Sequence, residues 1–98
     1  MIVVVNSFQL KTRPEEFEQV FVETSEFLRA RPGFVSYRLV RSAKDPAHYL
    51  NIALWDSEAE LRAATGLPEF QDHARRLREL AATDPQLFLP VADRQAAS

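Results

Sequence analysis

Two hydrophobic periods take turns along this chain in an order that few folds can accommodate. Ile2 to Leu10 is β-branched and aromatic with both faces largely apolar, the composition of a strand. Phe17, Val20, Phe21, Thr24, Phe27 and Leu28 then follow the i, i+3, i+4, i+7 stripe of an amphipathic helix, whose other side carries Glu16, Glu18, Glu23 and Glu26. Thr12 with Glu15 reads as a capping box at its start, with Pro14 in the first turn, and Arg31-Pro32-Gly33 ends it. Phe34 to Arg41 and His48 to Trp55 read as strands joined through Asp45-Pro46. Ser57 with Glu60 is a second capping box, opening a short helix through Leu61 and Ala64. Gly66-Leu67-Pro68 interrupts that helix, and a longer piece resumes with Phe70, His73, Ala74, Leu77, Leu80 and Ala81 on one side. Asp84-Pro85 is expected to stop it and to leave Gln86 to Ala92 as a fourth strand, with Pro90 marking an edge or an irregularity.

Strand, helix, strand, strand, helix, strand is the split β-α-β-β-α-β order of a ferredoxin-like α+β domain, a four-stranded antiparallel sheet with its helices on one face. The 98 residues fit one such domain, assigned to residues 1–92, followed by a polar, frayed tail over 93–98. The sheet face away from the helices would meet water unless covered. Here that face is apolar, because Val3 and Val5 alternate with Ile2 and Val4, and Phe34 and Val40 with Val35 and Leu39. A second copy of the chain is the simplest cover, since packing two such faces buries apolar area at roughly 25 cal/mol per Å². A homodimer is therefore expected.

Composition removes several function classes. A net charge of −2 and a pI near 5.6 provide no basic face for nucleic acid, and the one basic cluster, Arg75, Arg76 and Arg78, reads as a solvated helix face. Without cysteine there is neither a disulfide framework nor a thiolate nucleophile, and His48 and His73 alone make a zinc site improbable. The start MIVVVNSF is apolar but short, lacks a basic flank and a small-residue cleavage site, and points to a cytoplasmic protein with no membrane role. No Ser-His-Asp order, glycine-rich phosphate loop or dinucleotide fingerprint is present, which argues against ATP, NAD and a Rossmann-bound FAD.

A few polar and aromatic side chains stand out against the apolar background. Asn6 is the lone carboxamide in the row Ile2, Val4, Asn6, Phe8, Leu10, and is either a donor facing a pocket or a core amide satisfied by backbone. In the third strand, Tyr49, Asn51, Ala53 and Trp55 share one face and mix polar with aromatic groups, as the wall of a ligand cavity does. Trp55 is the single indole, Tyr37 and Tyr49 offer hydroxyls, and His73 sits at the edge of its helical stripe as a candidate base or a partly buried structural histidine.

The run VVVNSF, the spacing through EFEQVF, the segment RPGFVSYRLVRS, YLNIALWDSEAELRAA and PEFQDH together resemble the antibiotic biosynthesis monooxygenase family in its dimeric ferredoxin-like form, in which two chains build an α/β barrel. The similarity extends from Ile2 to Val91, and its pattern is that of small cofactor-independent anthrone oxygenases of aromatic polyketide pathways. The resemblance implies a homodimeric monooxygenase that oxidises a small anthrone-like or hydroquinone-like aromatic with O2, using no metal or tightly held cofactor. Asn6 and Trp55 match a catalytic asparagine and tryptophan of such enzymes, whereas Ser7 stands where near relatives carry arginine. Asn6 would then stabilise an enolate oxygen, and Trp55, Phe8 and Phe70 would hold the flat substrate with O2. Tyr37, Tyr49 and Asn51 would complete the pocket, and His73 would be the titratable proton acceptor.

Other branches of the same resemblance imply other chemistry. Haem-degrading members match at Asn6 and His73, but Ala64 stands where they carry a tryptophan. Oxygenases that open polyketide rings with reduced flavin share the fold, as do non-catalytic dimeric ligand-binding proteins. An enclosed volume between helices and sheet that reaches Asn6 and Trp55 separates an oxygenase from an assembly module.

Overall fold

The computed structural model describes residues 1–97. Its elements are β1 (Ile2–Leu10), α1 (Pro14–Arg29), β2 (Phe34–Arg41), β3 (His48–Trp55), α2 (Glu58–Thr65), α3 (Pro68–Leu80) and β4 (Ala81–Phe88). All neighbouring strands run antiparallel in the order β2-β3-β1-β4, which is the ferredoxin-like arrangement read from the sequence. Within one chain the sheet stays open at both edges. The first three strands keep the bounds that their composition predicts.

The fourth does not. Rather than continuing as helix to Asp84-Pro85, the chain becomes extended at Ala81, and β4 runs through that dipeptide to Phe88. Pairing with β1 from Leu10 opposite Ala81 to Val3 opposite Phe88 outweighs the local breaker. Because β4 is an edge strand, the missing N–H of Pro85 leaves no inner ladder bond unmade. Residues 89–97 carry no regular secondary structure, so Pro90 lies beyond the strand, and the last position of the expected tail, Ser98, is outside the described residues.

The helix starts also differ from one another. Ser57 caps α2 as expected, its hydroxyl accepting from the Glu60 backbone N–H at 3.2 Å. The box expected from Thr12 and Glu15 does not form. Arg13 occupies the N-cap of α1 without a side-chain bond, Pro14 takes the first turn, and the Thr12 hydroxyl donates instead to the Glu16 carboxylate at 2.9 Å. Gly33 carries a positive φ of 86° in the turn after α1, and an added Cβ there would lie 2.5 Å from the Glu60 side chain, so glycine is required twice over.

Alternation along each strand puts Ile2, Val4, Asn6 and Phe8 on the helix side of β1, and the pairing register adds Tyr49, Asn51, Ala53 and Trp55 of β3. A bulge at Phe34/Ser36 shifts β2 by one residue, which lets Phe34 join Tyr37 and Leu39 against the helices. Two apolar clusters result. One gathers Phe8, Phe17, Val20, Phe21, Tyr49 and Leu77, and the other Ile2, Ala53, Trp55, Leu61 and Ala64. The hydroxyls of Thr24 and Ser25, buried with the apolar stripe of α1, donate back to the Val20 and Phe21 carbonyls at 2.9 Å, so no orphaned group accompanies them.

Tyr49 closes the first cluster. Its ring is buried against Phe17, 5.1 Å between centroids, while its hydroxyl donates to the Glu18 carboxylate. Burial, and then that bond, raise the phenol above its ordinary value of about 10, with Arg41 pulling the other way. A folded state that holds the proton more tightly than the unfolded chain keeps this contribution in full below about pH 10 and loses it as pH climbs past the folded value. Tyr49→Phe is therefore expected to lower stability by about 1 kcal/mol at neutral pH and to remove part of the alkaline loss. Melting curves from pH 7 to 11 check this, and identical alkaline branches for parent and variant reject it.

Candidate active site

The break between α2 and α3 shapes the site. Pro68 cannot continue an i to i−4 ladder, so the second helical segment restarts at a new angle, and the Gln71 side-chain amide donates to the Thr65 carbonyl at 2.6 Å across the joint. Beneath that bend, β3 presents the small Ala53 between Asn51 and Trp55. The result is a cavity of about 400 Å³ between the helices and the sheet, within the range of small-molecule sites. Its sheet wall consists of Val4, Asn6 and Phe8 of β1, Asn51, Ala53 and Trp55 of β3, and Thr83, Pro85 and Leu87 of β4. The helix wall is Leu61, Arg62 and Thr65 of α2 with Phe70, Ala74, Leu77 and Arg78 of α3.

Two carboxamides lie side by side on this wall. Strand register sets Asn6 directly opposite Asn51 on β3 and opposite Pro85 on β4. The Asp84 backbone N–H donates to Asn6 Oδ1 at 3.2 Å, which fixes the amide orientation and leaves its NH2 without a protein acceptor among the described residues. Asn51 Oδ1 is buried and has no hydrogen-bond partner among the described residues. An orphaned buried acceptor costs about 1–3 kcal/mol, a penalty relieved by any donor that a bound molecule brings. The pair thus offers one unused donor and one unused acceptor next to an otherwise apolar space. Trp55, 1 % exposed and packed edge-on against Phe34 with centroids 5.2 Å apart, forms the indole part of that wall.

Of the residues singled out in the sequence, Asn6, Phe8, Asn51, Trp55 and Phe70 meet at the cavity. His73, Tyr37 and Tyr49 are not on its wall. Phe70, Ala74, Leu77 and Arg78 follow the helical stripe that faces the sheet, and His73 turns off it toward α1, where its ring lies 6.0 Å from that of Phe27, with Nδ1 buried and without a partner among the described residues. Tyr37 is covered by Phe21 of α1, centroids 5.8 Å apart, and Tyr49 by Phe17. Ala64, the position of the haem branch's tryptophan, is 3 % exposed and packed with Trp55 and Leu61. Neither it nor His73 lines the cavity.

Sequence reasoning missed Arg62 and Arg78. Arg78 stands eight residues after Phe70 and four after Ala74, a spacing that places it on the cavity stripe even though its neighbours Arg75 and Arg76 make it look like part of a solvated cluster. No His, Asp, Glu, Lys or Tyr is on the cavity wall, so the arginines are its sole titratable groups. Among the described residues no three His, Cys, Asp or Glu side chains come together as a metal cluster, and no helix is long and apolar enough to cross a membrane.

Comparison with known proteins agrees with this architecture. Deoxynogalonate monooxygenase of Streptomyces nogalater is 38 % identical over 87 residues, covering 89 % of this chain and 74 % of the relative. The crystal structure of SnoaB, a cofactor-independent oxygenase from Streptomyces nogalater, superimposes with a TM-score of 0.87 at 37 % identity, covering 97 % of this chain and 94 % of that one. A conserved protein of Methanosarcina mazei Go1, 21 % identical and covering 89 % of each chain, shares the fold at a TM-score of 0.79. Residues 1–76 match the profile of antibiotic biosynthesis monooxygenase, and the chain belongs to that family.

Proposed function

We propose that this chain oxidises a small anthrone-like aromatic with O2, without a metal or tightly held cofactor, and that it works as a cytoplasmic homodimer. The observation that carries this reading is the pair Asn6 and Asn51 on the wall of an aromatic-lined cavity whose lining has no carboxylate, imidazole, amine or phenol. The name of the relative from Streptomyces nogalater and the cofactor-independent chemistry of SnoaB support the same class of reaction.

An anthrone has a weakly acidic CH2, and its enolate is reducing enough to pass one electron to O2. Superoxide and the substrate radical then recombine at that carbon, and the hydroperoxide loses water to leave a carbonyl. Overall, one CH2 and one O2 become one C=O and one H2O. The free NH2 of Asn6 donates to the enolate oxygen, and the Asn51 carbonyl accepts from a neighbouring phenol, so negative charge develops in a site already oriented for it. Trp55, Phe8 and Phe70 sandwich the flat rings and keep water from the radical pair. No cavity side chain takes the proton, which goes to solvent as the stabilised enolate forms. Accordingly His73→Ala is expected to leave turnover within about twofold of the parent, since it touches Phe27 and not the substrate; a hundredfold loss at unchanged fold would return the base to the mechanism.

The second copy covers the sheet face opposite the helices. Val3, Val5, Val40, Leu50, Ile52 and Leu54 lie there, with Val40 and Ile52 each 37 % exposed in the isolated chain. A flat patch of this kind is self-complementary about a two-fold axis, and covering it removes apolar area from water on both copies. Oxygen uptake with a model anthrone, with EDTA present and with or without reduced flavin, tests the activity. Uptake without flavin is expected. Uptake only with reduced flavin transfers the chain to the ring-opening branch, and none under either condition removes the oxygenase reading.

A further inference from the structure

Strand register arranges the sheet wall of the cavity in rows. The middle row is Asn51, Asn6 and Pro85. On its Trp55 side lies a wholly aliphatic row, Ala53, Val4 and Leu87, and on its other side Phe8 stands opposite Thr83. Thr83 is thus the one polar side chain of the sheet wall besides the two carboxamides. Among the described residues its hydroxyl has no hydrogen-bond partner, whereas the other threonine hydroxyls are spent: Thr12 on the Glu16 carboxylate at 2.9 Å, Thr24 on the Val20 carbonyl at 2.9 Å and Thr65 on the Leu61 carbonyl at 3.0 Å. Secondary structure makes the difference, because a helical threonine finds the carbonyl four residues back and a threonine of the edge strand β4 has no such partner. A half-buried donor therefore faces the cavity with its proton uncommitted.

We propose that Thr83 is a catalytic residue of this cavity, donating a hydrogen bond to the oxygen that O2 delivers to the ring carbon opposite the enolate oxygen. This rests on the reading of the chain as an anthrone oxygenase. In an anthrone the reacting CH2 and the carbonyl face each other across the central ring, so a substrate whose oxygen meets Asn6 carries its reacting carbon one ring further along the wall. Thr83 is two strand residues beyond Pro85, the neighbour of Asn6, a step of about 7 Å that one six-membered ring and a hydrogen bond span. The aliphatic row on the other side offers no donor, so Thr83 also fixes which way the substrate lies. Electron transfer turns neutral O2 into superoxide, and a hydroxyl free to rotate toward it gains as that charge appears. Superoxide and the substrate radical join in a C–O bond, and the peroxide takes up from solvent the proton lost on enolisation. The O–O bond then breaks with its electron pair leaving on hydroxide, the C–H pair becomes the second C–O bond, and the released proton and hydroxide make water. The Thr83 proton stays on its own oxygen throughout.

Trp55 is the single tryptophan of the chain and lines this cavity, so its fluorescence reports occupancy without any turnover. The first measurement is anaerobic titration of the intact protein with anthrone, which has one ring oxygen, and with anthraquinone, which has a second at the position where O2 reacts. Thr83→Val removes the hydroxyl and keeps a branched side chain that suits a strand, and Thr83→Ser keeps the hydroxyl. The ratio of anthraquinone to anthrone affinity is expected to fall about fivefold in Thr83→Val and to hold in Thr83→Ser. The second measurement is oxygen uptake with anthrone, which Thr83→Val should slow by about 10–100-fold, with more superoxide escaping to reduce cytochrome c, while Thr83→Ser stays within about threefold of the parent. An unchanged affinity ratio in Thr83→Val, uptake by that variant at the parental rate, or an equal loss in Thr83→Ser each overturns the proposal and leaves the oxygenase reading intact. If the ratio shifts as expected but the parent consumes no oxygen with anthrone, Thr83 does meet the second oxygen, and it is the oxygenase reading that falls, taking the catalytic role with it.

Discussion

Asn6→Ala is expected to slow oxygen uptake with an anthrone by about 10²–10³-fold while changing ligand affinity by less than about threefold. The asymmetry follows from what the amide contributes. The ketone form of the substrate places only a partial charge on its oxygen, and the enolate places nearly a whole one, so a fixed N–H donor gains most of its energy after the proton has left. Asn6 is fixed because its own carbonyl is held by the Asp84 backbone N–H, which spares the donor from reorienting as charge builds. The substitution also removes that acceptor from an exposed edge strand, at a cost near 1 kcal/mol, too little to unfold a domain of this size. Asn51→Ala should give a similar loss. If the two amides act as one unit, the double variant will be little slower than either single one. Turnover of Asn6→Ala at the parental rate, with Trp55 quenching intact, would falsify the mechanism.

Most of the fold was legible because periodicity and punctuation agreed with tertiary structure. The alternation in β1 sets Asn6 in one row with Val4 and Phe8, the alternation in β3 sets Asn51 and Trp55 on one face of that strand, and Gly66-Leu67-Pro68 marks the bend under which the cavity opens. What failed did so where long-range pairing decides. Asp84-Pro85 is a helix stop by local chemistry, yet it sits inside β4 because an edge strand tolerates proline and because β1 supplies partners along its whole length. His73 fell off the site for a related reason. Being three residues from Phe70 is enough to share a broad apolar stripe, but the helix is gripped on two sides, by the sheet and by α1, and His73 belongs to the second grip. Arg78 was hidden by its own neighbours, since a cluster of three cations looks alike in sequence whether or not each has a carboxylate in reach. The vertical pairing of Asn6 with Asn51 depends on register, which alternation alone does not give.

Ile52→Lys should convert the protein from dimer to monomer at micromolar concentration without unfolding it. Ile52 lies on a central strand, opposite Val5 of β1 and Arg38 of β2, in the middle of the face away from the helices. Burying an isoleucine side chain contributes about 1.5–3 kcal/mol, and two-fold symmetry counts each substitution twice. The new ammonium would in addition be desolvated beside Arg38, a like charge with no acid assigned to offset it. Together these raise the dimer Kd by at least about a thousandfold, which sedimentation velocity resolves directly. The chain itself has little reason to unfold, because at 37 % exposure Ile52 already meets water in the isolated subunit and both core clusters lie on the opposite face. Every residue of the cavity wall comes from that opposite face of a single chain, so the monomer should still quench Trp55 on binding an anthraquinone. A variant that stays dimeric, or a parent already monomeric at the same concentration, places the assembly surface elsewhere; a variant that dissociates and also loses binding shows that the cavity depends on the sheet being held flat by its partner.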